Sequence, residues 1–132
     1  MTHDDGLVLI PDALRPQLAA NAATPGADPV PVLKLFNPTG AGTWLITELG
    51  PDGDTLFGLC DLETGCPELG HVSLAELAGV TLPFGLTIER DVHFEGRLPL
   101  SRWAEIVRRT GSIREAEAIV RTIAPAPDAE RP

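Results

Sequence analysis

Tyrosine is absent from this sequence, and only two tryptophans and four phenylalanines occur in its 132 residues. A core of stacked aromatics is therefore excluded, and packing must come from Leu, Val and Ile. Cysteine is as scarce, with only Cys60 and Cys66. One such pair is no disulfide framework, so the chain must hold together by burial. No apolar run approaches the about 20 residues of a membrane helix; residues 7–10 (LVLI) are far too few. The acidic THDD after Met1 carries no secretory pattern. The expected location is cytoplasmic, with no membrane contact. Positive charge is missing from the whole middle of the chain. Between Lys34 and Arg90 there is no Lys or Arg, while Glu48, Asp52, Asp54, Asp61, Glu63, Glu68, Glu76 and Glu89 fall inside that window. With a net charge of -9, a uniformly basic nucleic-acid face is not expected. Internal repeats are absent, and NPTGAG at 37–42 lacks the Lys-Ser/Thr of a phosphate loop.

What is present suits one domain, because a chain of this length buries about two-thirds of its unfolded surface. The apolar share of 43% is ordinary, and thirteen Gly with thirteen Pro indicate many turns. Pro11 opens a helix to Asn21 that turns Leu14, Leu18 and Ala19 inward, with a kinked or 3₁₀ start at Pro16. ATPGADP at 23–29 reads as a mobile linker. Strands at 30–36, 43–49 and 55–62 form an antiparallel meander. Strict alternation in the second groups Trp44, Ile46 and Glu48 against Leu45, Thr47 and Leu49. In the third, Leu56, Gly58 and Cys60 oppose Phe57, Leu59 and Asp61. Residues 69–72 run briefly extended, and Ser73 with Glu76 forms a capping box for a short helix ending by Gly79. A fourth strand is expected over 86–94. Ser101 caps a helix to Arg109, Gly111 breaks it, and Ser112 with Glu115 caps a last helix whose stripe is Ile113, Ala116, Ile119, Val120 and Ile123. The sum is an α+β domain over 1–124. It has an antiparallel sheet of about four or five strands, helices on one face and a small extra N-terminal helix. Residues 125–132 read as a disordered tail.

Residues 57–71, FGLCDLETGCPELGH, concentrate the chemistry. Cys60, Cys66 and His71, joined by Asp61 or His93, would make four metal ligands. The five-residue gap is wider than a zinc knuckle, and Cys60 on a strand is better explained as a small core residue. No metal site and no cofactor is therefore expected. Asp61, Glu68, His71 and His93, with Glu89 and Asp91, would converge if the third and fourth strands ended together, and could then hold a cation or activate water. The competing account has Asp61 and Glu68 bonding turn amides. No nucleophile stands beside a base, since Ser73 is a cap and Cys66 precedes Pro67. Arg102, Arg108, Arg109, Arg114 and Arg121, aided by Lys34, would form a basic edge. Glu105, Glu115 and Glu117 interleave with them, however, and Glu117/Arg121 has the i,i+4 spacing of a helical ion pair.

The runs KLFNPTGAGTWLITEL, FGLCDLETGCPELGHVSLAEL and ERDVHF resemble a bacterial family known as domain of unknown function 2958. The resemblance spans roughly residues 7–105. Where that family reads CDLG and GYVSL, this chain has Glu63 for the glycine and His71 for the tyrosine. The resemblance implies a small cytoplasmic protein encoded on plasmids and integrative and conjugative elements, and brings no activity with it. The expected function is a non-enzymatic accessory protein of a mobile genetic element. It would act by protein–protein contact through the acidic, turn-rich region 48–76, with Glu48, Asp61, Glu63 and Glu68 as binding residues. One alternative is a small metal-assisted hydrolase or nuclease using Asp61, Glu68 and His71 or His93. Another is a nucleic-acid mimic, which the acidic middle permits, or a nucleic-acid binder, which the charge disfavours.

Overall fold

The computed structural model describes residues 4–123. The tail expected over 125–132 lies outside them. Five antiparallel strands form one sheet: β1 (Leu33–Phe36), β2 (Thr43–Leu49), β3 (Thr55–Asp61), β4 (Glu68–Ser73) and β5 (Glu89–Arg90), in the order β4-β3-β2-β1-β5. The first four make a meander through tight turns, and the chain then crosses back to lay β5 beside β1. Helices α1 (Arg15–Ala22), α2 (Leu74–Ala78), α3 (Leu100–Thr110) and α4 (Ile113–Val120) complete an α+β domain.

The helices cover both faces of the sheet, which corrects the expectation of one. On the first face Leu33, Leu35, Trp44, Ile46, Leu49 and Leu56 pack with Leu18 of α1, Leu77 of α2, and Leu9 and Ile10. On the second, Leu45 and Leu59 pack with Leu100, Trp103 and Val107 of α3 and Ile113, Ala116 and Val120 of α4. The reason lies in β2, where every residue from Trp44 to Thr47 is buried. A strand apolar on both sides must be covered twice.

A β-bulge overturns the strict alternation expected in β2. Ile46 faces Gly58 but Glu48 faces Phe57, so Thr47 is the extra residue. Beyond it the faces exchange: Leu49 joins Ile46 and Trp44 in the first core, and Glu48 moves to the Phe57 side. The carbonyl of Thr47 accepts from Asn21 Nδ2 of α1 at 2.8 Å. Gly58 is required opposite, because a Cβ there would lie 1.9 Å from the Leu45 carbonyl oxygen. Gly58→Ala therefore costs about 2–3 kcal/mol by forcing two backbones apart. The check is its urea midpoint against that of wild type.

Smaller departures have their own causes. The expected fourth strand shrinks to the two residues of β5, since Asp91 folds the chain into a turn, its Oδ1 accepting from the His93 amide at 2.9 Å. Residues 23–29 are not a free linker: Asp28 accepts from the Ser101 amide at 3.0 Å and from its hydroxyl, and so caps α3. Helix α3 begins at Leu100, after Pro99, so Ser101 is not its N-cap. The serine half of each expected capping box forms, Ser73 accepting from the Glu76 amide and Ser112 from the Glu115 amide. The 3₁₀ entry to α1 forms over Asp12–Leu14.

Candidate contact site

Asp61 ends β3 and is 1% exposed. Its Oδ1 accepts from the Glu63 amide at 2.8 Å and its Oδ2 from the Ile113 amide at 2.8 Å. The first bond makes an Asx turn that carries Glu63 to a φ of 58°. The second satisfies an orphan amide in the first turn of α4, where the helix dipole favours a carboxylate. Glu63 adds an ion pair to Arg114 of α4, Nη2 to Oε2 3.2 Å. Asp61 thus fastens the β3–β4 turn to α4, as the turn-amide account expects.

The turn it holds is exposed. Leu62 is 55% and Leu69 43% exposed, and Glu63, Cys66 and Glu68 are exposed too. Glu68 begins β4 opposite Cys60. Burial, with Glu68 as a lesser cause, pushes the Cys60 thiol above its usual pKa. A thiol reagent at neutral pH should therefore modify Cys66 quickly and Cys60 at least about tenfold more slowly. Cys66→Ser should abolish the fast phase, and stopped-flow absorbance resolves the two.

The remaining sequence candidates do not converge. His71 lies on β4 opposite Phe57, their ring centroids 4.9 Å apart, and Glu48 flanks Phe57 on β2. That row stands roughly 13 Å along β3 from Asp61 at about 3.3 Å per residue. His93 follows β5 at the other edge of the sheet. At about 4.8 Å per strand, roughly 19 Å separates it from His71. His93 borders a cleft of about 40 Å³ with Phe94, Glu95, Arg97, Trp103 and Glu117. That volume suits a few waters, far below the roughly 300 Å³ of a small-molecule pocket. Among the described residues no group of three or more His, Cys, Asp and Glu is placed to hold a metal ion. At the β2–β3 turn, Asp52 is held at a pKa of about 2 by bonds from the Thr55 hydroxyl and amide and the Asp54 amide. Asp54 accepts from the Ser73 hydroxyl at 2.7 Å and the Ala75 amide at 2.8 Å. Asp52 thus shapes the turn, and Asp54 ties it to the start of α2.

One polar cluster was not foreseen. Lys34 is 14% exposed on β1, its Nζ 2.7 Å from Glu117 Oε1 and 3.5 Å from Asp91 Oδ2, and Arg121 pairs with the other Glu117 oxygen at 3.5 Å. Lys34 is thus engaged internally and does not extend a basic edge, which corrects that expectation. The available signal was the only lysine of the chain standing in the apolar run VPVLKLF. The arginines of α3 and α4 are interleaved with acids as expected, Arg109 with Glu105 and Arg121 with Glu117.

Among the described residues no helix is long and apolar enough to cross a membrane. No curated protein and no solved structure matches the chain. A family profile described as protein of unknown function (DUF2958) matches residues 9–114, most of the sheet and its helices, and the chain belongs to that family.

Proposed function

We propose that this chain is a non-enzymatic accessory protein of a mobile genetic element, working in the cytoplasm by contact with another protein. The contact surface is the acidic region 48–76, centred on the β3–β4 turn. The observation that carries this reading is the exposure of Leu62, Glu63, Glu68 and Leu69 in and beside a turn that buried Asp61 fastens to α4. Exposed apolar and acidic side chains side by side on a fastened turn suit recognition. Charge adds a preference for a basic partner, since no Lys or Arg lies between Lys34 and Arg90. The mobile-element context rests on the family resemblance. Of the four binding residues expected from sequence, Glu63 and Glu68 meet the partner, Asp61 holds the turn beneath them, and Glu48 lies along the sheet.

The test is capture from the host with the tagged chain, comparing wild type with Glu63→Arg/Glu68→Arg and with Arg108→Glu on α3. A discrete protein should be retained by wild type and by Arg108→Glu, and reduced about tenfold or more by the double reversal, as for charge pairs worth 1–2 kcal/mol. Equal retention by all three would overturn the reading.

A further inference from the structure

Strand β4 closes the sheet: among the described residues no strand lies beyond it. Alternate residues of an edge strand turn their N–H and C=O groups outward, ready to pair. Proteins usually blunt such an edge with lysine, proline or a bulge. Residues 68–73 (ELGHVS) contain neither lysine nor proline, and their pairing with β3 runs without a register shift. Each of them is exposed or half-buried.

Gly70, in the middle of that edge, has no explanation inside the fold. A Cβ there would meet nothing within 4 Å, and its φ is not positive. Its cross-strand partner Gly58 is the contrast, being required by the Leu45 carbonyl. A strand glycine without an internal reason marks the approach of another backbone, and a large side chain on a neighbouring strand covers an edge glycine well. Charge chooses between occupants. A second copy would bring two chains of net charge -9 together. A basic segment would not.

We propose that β4 accepts an extended segment of a partner protein as a sixth strand beside the five. The segment carries Lys or Arg near Glu68 and a bulky apolar side chain over Gly70. This rests on the protein-contact reading and specifies its mode.

The probe is a short peptide alternating lysine with valine and phenylalanine. Its control is the same peptide N-methylated at alternate amides, which keeps the charge and removes the pairing N–H groups. Titration of the full chain, with amide hydrogen exchange followed by NMR, should show outward amides of β4 protected by the first peptide. N-methylation should weaken binding about tenfold or more, the expected loss for a few hydrogen bonds. Gly70→Val should weaken the phenylalanine-bearing peptide without lowering the urea midpoint, since its side chain enters open space. Equal binding of both peptides that is still lost in Glu68→Lys overturns the edge inference and leaves the acidic-contact reading standing. Failure of the unmethylated peptide to bind or to protect β4 also overturns the inference. The contact reading then falls only if the double charge reversal leaves host-protein capture unchanged as well.

Discussion

Asp61→Ala will lower stability by about 3–5 kcal/mol, among the larger losses available to a single change in a domain of this size. Both carboxylate oxygens accept from backbone amides, one in the β3–β4 turn and one at the start of α4. A hydrogen bond to a charged acceptor contributes about 1.5–3 kcal/mol, and truncation also leaves buried amides unpaired. Asp61→Asn separates the terms, because its amide can accept at one oxygen only. Its loss should be about half as large. Urea denaturation of both variants supplies the comparison. If Asp61→Ala left the midpoint unchanged, Asp61 would not be the anchor described above.

The second large effect belongs to Lys34. Lys34→Met removes the cation that Glu117 meets at 2.7 Å, leaving that carboxylate, 11% exposed, with only Arg121 at 3.5 Å. Breaking a buried pair from one side costs about 3–5 kcal/mol, while replacing both partners by apolar groups is often neutral. Lys34→Met combined with Glu117→Leu should therefore recover most of the loss. A coupling of about 2–3 kcal/mol in the double-mutant cycle is expected, as for directly contacting residues. Asp91, at 3.5 Å from Lys34 Nζ and 21% exposed, is solvated enough to tolerate the change. Should the double variant be no better than the single, the lysine would be needed for orienting β5 and α4.

What could be read from the sequence was what is local. The meander showed in its turn residues, and the serines of both capping boxes stood three residues before a glutamate. Asp61 as a turn-binding carboxylate was also legible, but its second bond reaches Ile113, 52 residues away, and no spacing reveals that. The bulge at Thr47 stayed hidden because alternation is assumed until a register shift breaks it. That single insertion exchanged the faces of Glu48 and Leu49. The covering of both faces was implied by the unbroken burial of β2, yet a short apolar run reads alike in one-sided and two-sided strands. The histidines would be neighbours only if 86–94 formed a long strand ending beside the third; β5 lies at the opposite edge.

The most direct test of the contact account is site-specific photo-crosslinking in the host cell. The photoreactive residue replaces Leu69 on β4 or, as a control, Ile119 on α4, which are 43% and 46% exposed. The account predicts a discrete protein adduct from position 69 that disappears with Glu63→Arg/Glu68→Arg, and none of that mass from position 119. An adduct of the same protein from position 119 alone, or from position 69 regardless of charge reversal, would contradict it.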